Sequence, residues 1–177
     1  SGGFAACACP FAETAVGTAG GMTDAAEEAV AGLNVSRETF AKLREFEALV
    51  RRWNSAINLV SKATLADLWS RHIVDSAQVF SLYPPKAQSW VDLGSGGGFP
   101  GLVVAILAQE MKPDLRVTLV ESDLRKATFL RQASQALGVP VTVRTERIES
   151  LAPQNADVLS ARALASLADL LGYAERH

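Results

Sequence analysis

The sequence predicts an α/β fold in which a parallel sheet carries helices on both faces, with a small helical cap in front. Three observations carry this expectation. From about residue 86, short apolar runs alternate with helix-patterned stretches; such alternation implies βαβ units with right-handed crossovers. A glycine-rich turn, Asp92-Leu93-Gly94-Ser95-Gly96-Gly97-Gly98, joins the first run to the helix after it. Before residue 86 the apolar residues recur at helical steps of three and four instead.

In chain order, residues 1–22 are rich in Ala, Gly and Thr with almost no charge and read as a flexible tail. Residues 23–85 form the expected helical cap. Ser36 is a plausible N-cap, and Leu43, Phe46, Val50, Trp53 and Ile57 then fall on one face until Asn58 breaks the pattern. Thr64-Leu65-Ala66-Asp67 fits a variant of the capping box. After it, Leu68, Trp69, His72, Ile73, Ser76 and Val79 line one side of a second helix, which Tyr83-Pro84-Pro85 ends.

Residues 86–177 form the expected core. Residues 89–93 read as the first strand. Pro100 suits the first turn of the helix that continues through residues 102–108. Residues 116–121 read as the second strand. Leu124, Ala127, Leu130, Ala133 and Leu137 mark a helix stopped by Gly138. Residues 141–144 and 156–161 read as the third and fourth strands, and a last helix starts near Ser166.

Composition bounds the function. The chain has 177 residues, 49% hydrophobic and 20% charged, with formal net charge −2, which suits one soluble domain with a real core. Mild acidity argues against a protein that coats nucleic acid, but not against an enzyme with a local basic patch. No apolar run approaches the roughly 20 residues of a membrane helix, and no signal segment is read at the N-terminus. Cys7 and Cys9 are too close to bridge without strain and too few for a zinc site. No metal is expected, and the chain reads as a cytoplasmic monomer.

The glycine turn suits a ligand that approaches the backbone closely. Gly96, Gly98 and Gly101 satisfy G-x-G-x-x-G, the pattern of nicotinamide enzymes, while Asp92, Gly94, Gly96 and Gly98 satisfy D-x-G-x-G-x-G, the pattern of S-adenosylmethionine enzymes. A carboxylate at Asp92 would repel a pyrophosphate and suit the ammonium or sulfonium of S-adenosylmethionine. Glu121, at the end of the next strand, can accept hydrogen bonds from both ribose hydroxyls, a device shared by both enzyme classes. A methyl donor site is therefore the favoured reading, and an NAD-dependent oxidoreductase is the alternative.

Several stretches together resemble the RsmG family, also called glucose-inhibited division protein B. They are Asn58-Leu59-Val60, Arg71-His72-Ile73-Val74-Asp75-Ser76, and Val91 through the glycine turn to Phe99-Pro100-Gly101. Later come Leu119-Val120-Glu121-Ser122, Lys126-Ala127-Thr128-Phe129-Leu130-Arg131, Arg147-Ile148-Glu149 and Ser160-Ala161-Arg162-Ala163. The resemblance implies a class I, Rossmann-like methyltransferase fold and methyl transfer from S-adenosylmethionine to N7 of a guanine in 16S ribosomal RNA, leaving S-adenosylhomocysteine. It implies RNA or the 30S subunit as partner, and cofactor contacts from Gly94, Phe99, Ile148, Glu149 and Arg162. Glu121 departs from the Asp often found there. The family also continues past the position of His177 through further strands, so the sheet read here is C-terminally incomplete.

Guanine N7 carries a lone pair and no proton, so the chemistry needs no general base and rests on alignment. His72 and Arg162 are the positioning candidates: Arg162 follows an apolar strand, at the sheet edge where ligands bind. His72, Asp75 and Ser76 are neighbours on one helix, but a hydrolase would want a nucleophile elbow, and structural support is the plainer role for His72. Among the basic residues, Arg71, Arg125, Lys126 and Arg131 are the candidate phosphate contacts.

Overall fold

The computed structural model describes residues 29, 30, 32–162 and 164–177. The tail at residues 1–22, with Cys7 and Cys9, lies outside the described residues. Two short strands, β1 (Ala29–Val30) and β2 (Leu33–Asn34), pair antiparallel. This pair has no counterpart in the expected pattern, because two-residue strands are too short to show alternation.

Helix α1 (Arg37–Asn54) begins where Ser36 Oγ accepts the Thr39 N–H at 3.2 Å. Leu43, Phe46, Leu49 and Val50 form its buried face. At its end, Asn54 Oδ1 accepts the N–H groups of Leu59 and Val60, both at 2.9 Å. That side chain folds the following loop back against the helix.

The next helix departs from expectation at its start and in its middle. Ser61, not Thr64, is the cap: its Oγ accepts the Thr64 N–H at 3.2 Å and opens α2 (Lys62–Leu65). Thr64 is thereby drawn inside the turn it was expected to begin. Residues Trp69–Val74 then form a π-helical segment that runs into α3 (Asp75–Ser81). A π turn holds an extra residue, so the apolar face rotates. Ser76, Ala77 and Phe80 become the buried residues of α3, while Val79 is exposed.

Four parallel strands follow: β3 (Ser89–Leu93), β4 (Arg116–Val120), β5 (Thr142–Arg144) and β6 (Val158–Ala161). Their order across the sheet is β5-β4-β3-β6, with Asp92 level with Leu119 on one side and Ser160 on the other. Helices α4 (Gly101–Met111), α5 (Leu124–Leu137) and α6 (Leu167–Arg176) complete the fold. Asp123 caps α5 and Gly138 ends it in the left-handed conformation.

Side chains alternate across the sheet. Trp90, Val117 and Leu119 face the larger core, which α1, α3, α4 and α5 share. Val91, Leu93 and Val120 face a smaller one with Ile148 and Leu151, against which Tyr173 of α6 packs. Helices therefore cover both faces. Every residue of α4 from Gly101 to Ala108 is buried, as a helix enclosed between a sheet and other helices requires. The cap helices and the sheet thus bury their apolar faces in one continuous cluster. Among the described residues, no helix is long and apolar enough to cross a membrane.

Candidate active site

The strand order reverses beside β3, and the C-terminal ends of strands at such a reversal are where open α/β sheets bind ligands. A cavity of about 700 Å³ lies there, within the range of small-molecule sites. Its floor is the glycine turn. The N–H groups of Gly94 and Ser95 donate to Val120 O at 2.9 and 3.0 Å, which fastens the turn to the end of β4. Gly94 adopts φ +69°, and a Cβ there would lie 2.7 Å from Leu164 Cδ1, another residue of the cavity wall.

Glu121 stands at the end of β4, 8% exposed, and lines the cavity. Its Oε2 accepts the Gly96 N–H at 2.9 Å and its Oε1 accepts the Asp123 N–H at 2.8 Å. Two backbone donors thus fix the carboxylate at the mouth of the turn, each oxygen keeping a lone pair for a ligand hydroxyl. Ile148 and Glu149 enter the wall on a single 3₁₀ turn (Ile148–Ser150). Helix α6 braces that turn: the Tyr173 hydroxyl donates to Glu149 Oε1 at 3.1 Å, and Arg176 donates to the carbonyls of Glu149 and Leu151 at 2.8 Å. The backbone N–H of Glu149 itself, and then the Tyr173 hydroxyl, hold the Glu149 carboxyl below the usual range.

At the other end of the cavity, three side chains meet. His72 packs on Phe99 with ring centroids 4.9 Å apart, and the Arg162 guanidinium lies 5.6 Å from the centroid of that same ring. Arg162 Nη2 contacts His72 Nδ1 at 2.5 Å. An arginine has only donors to offer, so Nδ1 is the acceptor and the imidazole is neutral. Burial, then the charge of Arg162, depresses the His72 pKa to about 4. His72 Nε2 is buried and has no hydrogen-bond partner.

The structure thus gathers Gly94, Gly96, Phe99, Glu121, Ile148, Glu149, Arg162 and His72 around one cavity. Two of the expected contacts lie elsewhere. Asp92 shares a sheet face with Trp90, so its carboxylate points beneath the turn and not into the cavity. Ser160 Oγ donates to Asp92 Oδ1 at 2.7 Å, and the Gly101 N–H donates to Oδ2 at 3.3 Å. Burial outweighs these bonds and raises the Asp92 pKa to about 6. Gly98 is a packing glycine at φ +89°, where a Cβ would come within 3.0 Å of Phe46 Cζ.

The candidate phosphate contacts also divide. Lys126 lines the cavity, as does Arg147. Arg71 lies 4.0 Å from Asp67, and Arg125 lies 3.8 Å from Asp123, both on the outer surface. Arg131 is exposed outside the cavity, and its Nη2 donates to Val143 O and Thr145 Oγ1, which ties α5 to the end of β5. The loop with Leu59, Val60 and Ser61 forms a further wall that the site pattern in the sequence does not include. Periodicity could not reveal it, and its only signal was the Asn58-Leu59-Val60 run. Among the described residues, no group of three or more His, Cys, Asp or Glu is placed to hold a metal ion.

The family model described as "rRNA small subunit methyltransferase G" matches residues 39–177. The chain belongs to this family. Ribosomal RNA small subunit methyltransferase G of Ruegeria sp. (strain TM1040) is 58% identical over 145 residues, 82% of this chain and 70% of that protein. The protein of the same name from Ruegeria pomeroyi is 61% identical over 145 residues, 82% of this chain and 71% of its own length. That of Cereibacter sphaeroides (strain ATCC 17025) is 53% identical over 156 residues, 88% of this chain and 75% of its own. Among solved structures, the plantazolicin methyltransferase BpumL in complex with SAH aligns at TM-score 0.40 and 17% identity, over 70% of this chain and 49% of that one. At that level of likeness it adds nothing to the assignment, which rests on the family match and the close relatives.

Proposed function

We propose that the chain transfers a methyl group from S-adenosylmethionine to N7 of a guanine in small-subunit ribosomal RNA. Membership of the methyltransferase G family supports the RNA substrate. The cofactor is supported by one observation above the rest: Glu121, held by the N–H groups of Gly96 and Asp123 beside the glycine turn. A carboxylate fixed there, with lone pairs to spare, fits a ribose diol. Gly94, at φ +69°, lets the turn pack against Leu164 of the cavity wall, where any side chain would collide.

S-adenosylmethionine supplies an electrophilic methyl sulfonium when bound. The chain's own part is to bind and align. Glu121 takes the ribose, the Ile148–Glu149 turn flanks the adenine, and the glycine turn cradles the amino-acid end. Phe99, Arg162 and His72 border the end of the cavity at which the acceptor base enters. His72 is no general base for the reaction, because its free pair on Nδ1 is already engaged by Arg162. N7 needs none, so in-line placement of the reactants supplies the rate. Lys126 and Arg147, which line the cavity, are the basic side chains this reading assigns to RNA phosphates.

Calorimetry with S-adenosylmethionine and transfer of labelled methyl to small ribosomal subunits test the reading. Glu121→Ala should weaken cofactor binding by about 10- to 100-fold, the worth of hydrogen bonds to a charged group. Gly94→Asp should abolish binding, since its side chain meets Leu164 from a strained backbone. Unchanged affinity in both variants, or label that never reaches the RNA, would refute it.

A further inference from the structure

We propose that His72 is a positioning residue for Arg162: its neutral imidazole, through Nδ1, holds the guanidinium against Phe99 at the acceptor end of the cavity. The inference rests on the reading of Arg162 as a group that faces the reactants.

Four observations meet at His72. It is 7% exposed, yet its Nε2 is buried without a partner. A buried polar group left unpaired destabilises a fold, so packing alone would favour an apolar side chain here. Its other nitrogen meets Arg162 Nη2, and the carbonyl of the adjacent Arg71 accepts from Arg162 Nη1 at 3.5 Å. The imidazole and that carbonyl together receive both terminal nitrogens of the guanidinium. Phe99 flanks both groups, which fixes the plane of the imidazole and gives the cation an aromatic neighbour. Finally, His72 lies in the π-helical segment Trp69–Val74. A π turn is an irregularity that regular α-helix would not produce, and such turns are common at functional sites.

The acceptor role depends on neutrality. Arg162 and Arg71 oppose a charge on the ring, and Asp75 favours one, while burial tips the balance to the neutral form. The neutral imidazole therefore offers Nδ1 to Arg162. Without it, Arg162 keeps its charge but loses its direction, and the alignment of the reactants loosens.

A merely structural histidine and a positioning one predict different outcomes. In His72→Leu the unpaired Nε2 is gone while Arg162 Nη2 loses its acceptor, so the two effects offset and Tm changes little. Methyl transfer to small ribosomal subunits nevertheless falls by between about 10- and 100-fold, the scale of a modest misplacement of a reactant-facing group. His72→Asn, whose amide oxygen takes the place of Nδ1, recovers most of that loss. In an Arg162→Ala background, His72→Leu has no further effect on transfer, since the group it acted through is absent.

Two results would overturn the proposal: a His72→Leu chain whose Tm and activity fall together without recovery in His72→Asn, or effects of the two substitutions that simply multiply. If Arg162→Ala itself leaves transfer unchanged, the reading of Arg162 fails as well. That outcome is separable, because Glu121→Ala would still report whether the cofactor site exists.

Discussion

At the scale of single residues, two buried groups near the glycine turn respond to acid in opposite senses. Asp92 ionises in the fold only at about pH 6, against 3.8 in its absence. Its favourable contribution is present below about pH 4 and is lost as pH rises to about 6, amounting to about 3 kcal/mol. His72 behaves conversely. Its pKa falls from 6.5 to about 4, so its contribution is present above 6.5 and is lost as pH falls towards 4. Between those limits the two slopes offset each other. Asp92→Asn should remove the aspartate slope: the stability of the variant relative to the parent, from urea unfolding, should grow from about pH 4 to about pH 6 and then level off. A difference independent of pH would contradict the burial of an ionisable Asp92.

At the scale of elements, α4 reaches its place only because its first residue is glycine. A Cβ on Gly101 would lie 2.7 Å from Asp92 Oδ2 and would press on Leu119. Gly101→Ala should therefore lower stability by about 1–3 kcal/mol, as overpacking does, and lift the helix start away from Asp92. A denaturation midpoint equal to the parent's would show that the helix can yield at no cost. The elements also show what a sequence reveals. The four core strands lie within two residues of their expected bounds, because short apolar runs between helices carry a local signal. The cap at Ser61 was obscured by Thr64, a second good cap one turn later. The π turn left no trace, since a helix of either kind shows the same spacing until the extra residue has shifted the face. Asp92 was placed correctly on its strand but aimed wrongly. Alternation put it on the Trp90 face, yet only the arrival of Ser160 from β6 and Gly101 from α4 shows where that face lies.

At the scale of the whole molecule, the helices before residue 85 supply part of the site's foundation. Phe46 of α1 packs on Phe99 with centroids 5.1 Å apart and fills the space beside Gly98. It is fully buried. Phe46→Ala should cost about 3–5 kcal/mol of stability. It should also weaken binding of S-adenosylhomocysteine measured by calorimetry, although the residue does not line the cavity. Unchanged affinity in a folded variant would show that the turn holds its shape without α1. The same integration explains why the cavity was partly legible in the sequence. Gly94, Glu121 and Arg162 sit at strand ends that the chain order predicts, whereas the Leu59–Ser61 wall arrives from a loop whose position depends on Asn54.

The link from Trp90 to Asp92 has a spectroscopic consequence. The indole N–H of Trp90 donates to Ser160 Oγ at 2.8 Å, and Ser160 donates in turn to the carboxylate. Deep in the core, that relay couples an aromatic chromophore to one titrating proton. In an ¹⁵N-labelled sample, the Trp90 indole resonance should migrate with pH about a midpoint near 6, and Ser160→Ala should uncouple it. The fold thus carries its own internal indicator of the charge beneath the glycine turn, readable without any ligand.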